Sequence, residues 1–366
     1  MIGRIEELNH LFNLYNNDSF EFLVMYGRRR IGKTTILQEF SEKTNSIFFP
    51  AREKNDALNL EDFSKIIQYH FDKQFYSSFS SWEDAFNYIS SKAHDKVSII
   101  IDEFPYIIEE NPSVKSILQH VIDHSWKQKN IFLILCGSSV SIMENDVMGR
   151  KSPLHDRQTS TLEIKPFDYY ESSGFFPEYN NIDKILAYGI LGGVPRYLEA
   201  FDSSKTIEQN IATRIIQNGS YLYEEPMNLL KAEVRETNIY NSILSAIASG
   251  KNKMIDIANF IHEDRTKVAK YLNTLQILRL IEKRVPCGES ETSKKSIYVI
   301  KDNFFKFWFR YEFTNNVYYS ILGSSEASKE IMKDISNLMG DVFEQVCQQY
   351  MVRMAKARKL PFVPFK

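Results

Sequence analysis

Residues Gly27-Arg28-Arg29-Arg30-Ile31-Gly32-Lys33-Thr34 fit the pattern G-x-x-x-x-G-K-[ST] in full. Glycines at both ends of such a loop let the backbone turn so that successive N–H groups face an anion. The positive end of the following helix adds to that field. Lys33 can then reach the β- and γ-phosphates of a nucleoside triphosphate, and the Thr34 hydroxyl can ligate Mg²⁺, with Thr35 next in the same first turn. The expected ligands are ATP or ADP with Mg²⁺, held by residues 27–35.

A second cluster follows at Ile99-Ile100-Ile101-Asp102-Glu103, an apolar run ending in two carboxylates. Downstream of a phosphate loop, Asp102 is expected to hold Mg²⁺ and Glu103 to orient and polarise the attacking water. Binding needs only the aspartate; the second acid is what favours hydrolysis. A further apolar run ends in Cys136-Gly137-Ser138-Ser139, and Ser138 is expected to face the γ-phosphate or the water, a plain turn serine being the alternative. Arg150 and Arg157 could each bring a guanidinium to a phosphate of this or a neighbouring subunit, or form a surface ion pair.

These side chains need a scaffold. Residues 20–26 (FEFLVMY) have the length of a buried strand and lead into a helix over 33–43. Residues 46–50, 97–101, 131–136 and 161–164 read as further strands. Ser80 to Glu83 has capping-box spacing and opens a helix to about Ala93, and Asn111-Pro112 starts another to about Gln128. Apolar strands alternating with helices predict an α/β fold with a parallel sheet covered on both faces. Beyond Pro166 the strand pattern fades into helices over 183–249, broken at Gly192-Gly193-Val194-Pro195. Helices 239–249, 254–261 and 265–278, then strands 280–285 and 296–300 around a polar loop, follow the order of a winged helix-turn-helix. A last helix spans 326–359.

Taken together, Gly3-Arg4-x-x-Glu7-Leu8, the 27–34 loop, Asp102-Glu103-Phe104-Pro105, Cys136-Gly137-Ser138-Ser139 and Gly192-Gly193-Val194-Pro195-Arg196-Tyr197 resemble the archaeal-type ATPase family, within the STAND branch of the AAA+ P-loop NTPases. The resemblance covers essentially the whole chain. It implies an AAA+ core over 1–165, a helical lid over 166–237, the winged helix over 238–313, and over 314–366 the start of a domain similar to restriction-endonuclease folds. That domain's acidic strand core has no counterpart here, so nuclease activity is not expected. The resemblance also implies that Ile2 and Arg4 line the adenine and that Gly193 and Pro195 contact the nucleotide from the lid.

The 366 residues predict two or three domains. A net charge of −2 excludes a globally basic nucleic-acid coat but not a local basic patch. Residues 251–301 hold such a patch, eleven Lys/Arg against six Asp/Glu. In the third helix Arg265, Thr266, Lys267, Lys270, Tyr271 and Asn273 form the polar side, and Val268, Leu272, Leu275 and Leu278 the buried stripe. Arg265, Lys267 and Lys270 are the expected contacts to double-stranded DNA, with Lys294 and Lys295 on the wing; an interdomain or protein-contact module is the alternative. No apolar run approaches a membrane span, the N-terminus lacks a signal-peptide pattern, and the three cysteines are scattered, so a cytoplasmic location is expected.

Three other patterns carry less. Asp156 with Glu163 and Lys165 imitates a nuclease Asp…Glu-x-Lys set. His120 and His124 are spaced for a metal but lack a third ligand. The aromatic run from Phe304 to Tyr311 suits a packed junction better than base stacking.

Overall fold

The computed structural model describes residues 2–286, 288–290, 293 and 295–362. The chain forms two compact units, Gly3–Lys165 and Pro166–Lys366.

The first unit is built on strands β1 (Glu21–Tyr26), β2 (Ser46–Pro50), β3 (Val97–Asp102), β4 (Ile131–Gly137) and β5 (Ser160–Glu163), all parallel, in the order β2-β3-β4-β1-β5. Every residue of β3 and β4 is buried, because helices cover both faces of the sheet. Side-chain alternation sorts the strands cleanly. Leu23, Met25, Ile100, Phe132, Ile134 and Cys136 pack with Leu11 of α1 (Ile5–Tyr15) and with Ile36, Leu37 and Phe40 of α2 (Lys33–Ser41). Val24, Ile47, Phe49, Ile99, Ile101 and Leu133 face α3 (Asp56–Asp72), α4 (Trp82–Lys92) and, beyond the short α5 (Pro105–Glu110), α6 (Val114–His124).

Three details depart from the sequence reading. The α4 cap is Ser81, whose hydroxyl accepts the Asp84 N–H, while the Ser80 hydroxyl donates to the Asp84 carboxylate. The helix expected over 111–128 starts at Val114 and ends at His124, where Ser125 leaves helical dihedrals before a short 3₁₀ turn. Helix α3 carries no chemical motif, yet Asn55 caps it and Leu60, Phe63 and Ile67 mark its buried stripe.

In the second unit, helix Asn181–Leu191 stops at Gly192 (φ 67°), and Pro195 opens the next helix at its first turn. Helices Thr237–Ala248, Met254–Ile261 and Arg265–Ile277 precede an antiparallel pair, β6 (Ile281–Arg284) and β7 (Ile297–Ile300). One continuous core runs from Phe167 through Leu191, Leu244, Leu272 and Phe304 to Leu338. Phe304, Phe305, Phe307, Trp308 and Phe309 are all inside it, so the aromatic run is packing. The 33-residue helix Ser324–Lys356 is anchored at its far end by Arg353 to Asp168 and by Gln349, which accepts from Tyr169 N–H and donates to the Tyr188 hydroxyl.

Candidate nucleotide site

The phosphate loop leaves β1 at Tyr26 and enters α2 at Lys33. Gly32 caps that helix with φ 91°, a left-handed conformation that costs a residue with a Cβ about 1–2 kcal/mol. Lys33 is buried, and its ammonium donates to the carbonyls of Gly27 (2.8 Å) and Arg28 (3.0 Å). Arg28 is buried and Arg29 half-buried, while Arg30, Thr34 and Thr35 are exposed. Arg4 crosses behind the loop, donating to Ile31 O (3.0 Å), Lys165 O (2.9 Å) and the Glu7 carboxylate (2.8 Å). It ties the start of the chain to both the loop and the end of β5. Ile2 is exposed.

In a parallel sheet every strand ends at the same edge, so β1, β3 and β4 deliver the loop, the acids and the serine together. The Thr34 hydroxyl donates to Asp102 Oδ2 at 2.7 Å. These are hard oxygen donors on adjacent elements, the chemistry a Mg²⁺ ion takes. Glu103 turns off the strand at φ 55°, a conformation uncommon for a residue other than glycine. It is stabilised by its own N–H to Asp102 Oδ1 (3.1 Å) and by Phe104 N–H to Cys136 O (2.8 Å). One Glu103 oxygen accepts both the Ser138 N–H (3.0 Å) and the Ser138 hydroxyl (2.8 Å). Cys136 is fully buried beneath; desolvation and then the Asp102 charge push its thiol well above the usual range, so it is not a nucleophile.

A family model described as an ATPase domain predominantly from Archaea matches residues 1–201. The chain belongs to that family. A second model, archaeal and bacterial proteins of unknown function, matches residues 308–366. An uncharacterised protein of Methanocaldococcus jannaschii is 35% identical over 365 residues, covering 99% of this chain and 79% of that one. A second M. jannaschii protein, an uncharacterised ATP-binding protein, is 39% identical over 51 residues, 13% of this chain and 86% of its own length. Among solved structures, the Walker-type ATPase of Pyrococcus abyssi superposes with a TM-score of 0.65 at 19% identity, covering 85% of this chain and 96% of that one. The ORC2 protein of Aeropyrum pernix, solved as ADPNP–ADP complexes, gives 0.55 at 12% identity over 88% and 96%. Both likenesses show the α/β P-loop fold.

Not every expected residue of this P-loop ATPase joins the loop and the acids. Arg157 lies just before β5, whose Ser160 pairs in register with Leu23 near the start of β1. That is the opposite edge of the sheet from the phosphate loop. There its guanidinium binds Asp123 (2.7 and 3.0 Å) and the carbonyls of Pro153 and His155. The expectation that Arg157 meets a phosphate of its own subunit is corrected by strand polarity: a residue entering a parallel strand sits at the wrong end of it. Arg150 is exposed. The Asp156–Glu163 pattern fails similarly, since one acid precedes β5 and the other ends it. His120 and His124 lie with tilted rings 4.3 Å apart between centroids on an exposed face of α6. Among the described residues no group of three metal-ligating side chains forms.

Gly193 has a local explanation inside the second unit. Its carbonyl accepts the Phe167 N–H at 2.8 Å, and a Cβ there would meet Phe167 O at 1.9 Å. Pro195 serves as the first residue of its helix.

On helix Arg265–Ile277, Val268, Leu272, Leu275 and Leu278 are buried as expected, and Arg265, Thr266, Lys267, Lys270 and Asn273 are exposed. Tyr271 is not on the polar side: it is buried, T-shaped against Tyr240, with its hydroxyl on Glu236. Lys267 is paired with Glu263 at 3.0 Å, and Lys295 with Glu289 at 2.6 Å. Lys294 lies outside the described residues. Among those described, no helix is long and apolar enough to cross a membrane.

Proposed function

We propose that this chain is a Mg²⁺-dependent ATPase working as a nucleotide-controlled switch. The observation that carries the reading is the 2.7 Å contact of Thr34 with Asp102 beside Glu103, with α2 and the end of β3 brought to one sheet edge. Lys33 exchanges its bonds to the Gly27 and Arg28 carbonyls for the β- and γ-phosphate oxygens. Thr34 and Asp102 are the residues that would hold Mg²⁺, and the ion would supply positive charge beside the phosphoryl oxygens. Glu103 takes the position of the residue that orients the attacking water, and Ser138 holds its carboxylate in line. The contribution is positioning and electrostatics rather than covalent chemistry. Arg150, exposed, and Arg157, at the far edge of the sheet, are the two arginines proposed to act on a neighbouring copy. Gly193 and Pro195, and Ile2 with Arg4, remain proposed nucleotide contacts.

Residues 238–313 act in this reading as a winged helix that meets duplex DNA through Arg265, Lys267 and Lys270, with nucleotide state controlling the contact. Its element order and the exposed basic side of helix Arg265–Ile277 support this.

A second reading, a DNA-binding regulator that holds nucleotide with little turnover, is favoured by the Ser138–Glu103 pair. Ser138 occupies one of the two Glu103 oxygens with both its N–H and its hydroxyl, which leaves a single oxygen for any water. The test is ATP turnover with Mg²⁺, with and without duplex DNA. Turnover that rises with DNA supports the switch. Tight nucleotide binding without turnover in either condition supports the regulator, and turnover indifferent to DNA removes the DNA coupling.

A further inference from the structure

The loop after β2 stands at the same edge as the acids and carries an arginine that no motif marks. Register pairs Pro50 with Asp102, and the Ala51 N–H extends the ladder to Asp102 O at 2.9 Å. Ile47, Phe49 and Ala51 all pack on the α3–α4 side of the sheet. The alternation therefore sends Phe48, Pro50 and Arg52 to the other side, where Phe48 packs near α2 and Asp102 meets Thr34. Arg52 thus leaves the sheet on the side of the phosphate loop, one strand spacing of about 4.8 Å from the strand carrying Asp102.

Its backbone is held unusually well for a surface loop. Asn59 of α3, only 1% exposed, accepts the Arg52 N–H (3.2 Å) and donates to the carbonyls of Arg52 (3.0 Å) and Lys54 (3.2 Å). A buried amide committing three hydrogen bonds to one turn fixes where residue 52 points. The neighbouring cation is already engaged, Lys54 with Asp62. The Arg52 side chain is exposed and, among the described residues, makes no hydrogen bond or ion pair.

We propose that Arg52 is a γ-phosphate ligand of this chain's own nucleotide site, held in place by Asn59. This rests on the phosphate-site reading above. A guanidinium opposite Lys33 would grip the terminal phosphate from the Asp102 side, so that ATP, but not ADP, engages the β2 loop and through Asn59 the long helix α3.

The test is direct binding, by calorimetry, of the β,γ-imido analogue of ATP and of ADP, each with Mg²⁺. Wild type, Arg52→Ala, Arg52→Lys and Lys33→Ala are compared, with melting temperature as the control for folding. Arg52→Ala is expected to weaken the triphosphate analogue by about tenfold or more while leaving ADP within about twofold, as removal of one charged hydrogen-bonding partner dictates. Arg52→Lys should fall between, since lysine keeps the charge but not the fork. Equal weakening for both ligands, or for neither, overturns the assignment. Lys33→Ala separates the two layers: should it bind both nucleotides like wild type, the phosphate-site reading itself fails. If Lys33→Ala abolishes binding but Arg52→Ala does not discriminate, only Arg52 is misassigned.

Discussion

The backbone N–H and the hydroxyl of Ser138 converge on a single oxygen of Glu103, at 3.0 and 2.8 Å. Glu103 belongs to the turn after β3 and Ser138 to the turn after β4, 35 residues apart in sequence. Neither local turn specifies the pair; the adjacency of the two strands does. In the proposed reaction the second Glu103 oxygen is the one that would face the water.

Ser138→Ala removes the hydroxyl bond and keeps the N–H bond. A hydrogen bond to a charged group contributes about 1.5–3 kcal/mol, so kcat is expected to fall about tenfold or more with ATP affinity unchanged. A rise in kcat would instead make Ser138 a brake and favour the nucleotide-holding regulator.

Glu103→Gln keeps the shape and most hydrogen bonding but cannot accept a proton. ATP binding should persist while turnover drops about 10²–10⁴-fold, the range for a positioned base. Single-turnover kinetics would check this, and wild-type rates would place the water elsewhere.

Neutralising Lys267 and Lys270 together should weaken duplex binding and flatten its salt dependence, the logarithmic slope falling by about 0.9 for each phosphate no longer neutralised. Lys270 should matter more, because Lys267 is already paired with Glu263. Titrations at several salt concentrations would read both quantities. An unchanged slope would mark residues 238–313 as a protein-contact module.

Glu312 sets a pH dependence of stability. It is buried within the second unit, its Oε2 has no hydrogen-bond partner among the described residues, and desolvation pushes its carboxyl up to about 7. Tyr223 and Tyr319 lie within range of its charge. The folded state keeps the proton to higher pH than the unfolded state, where a glutamate ionises near 4.5. The contribution of Glu312 to stability is therefore greatest below that value and falls as pH rises towards 7, by linkage. Glu312→Gln should flatten melting temperature across pH 5–8 and raise it at pH 8. If the wild-type and variant profiles stay parallel, the burial penalty is absent.

The two units differ in how far their sequence could be read. In the first, β1, β2, β3 and β4 were legible as short apolar runs, as buried parallel strands need, whereas β5 (Ser160–Glu163) is a polar, partly buried strand at the sheet's edge. Helix α3 was less visible because nothing chemical draws attention to Asn55, Leu60, Phe63 and Ile67. In the second, the helix order was legible. A periodicity argument nevertheless placed Tyr271 outside, since tyrosine suits either side and only Glu236 and Tyr240 decide it.

The phosphate loop, the acid pair and the parallel α/β architecture follow from the order of residues alone. They depend on contiguous stretches: glycines that permit a turn, a helix start, apolar runs ending in carboxylates. Which strands are neighbours, and which edge each loop occupies, emerged only in three dimensions. That joined Thr34 to Asp102 and Ser138 to Glu103, and set Asn59 beneath Arg52. It also sent Arg157 to the far edge, against Asp123. Strand order is set by the competition of whole helices for the two faces of the sheet, a global quantity that no local spacing encodes.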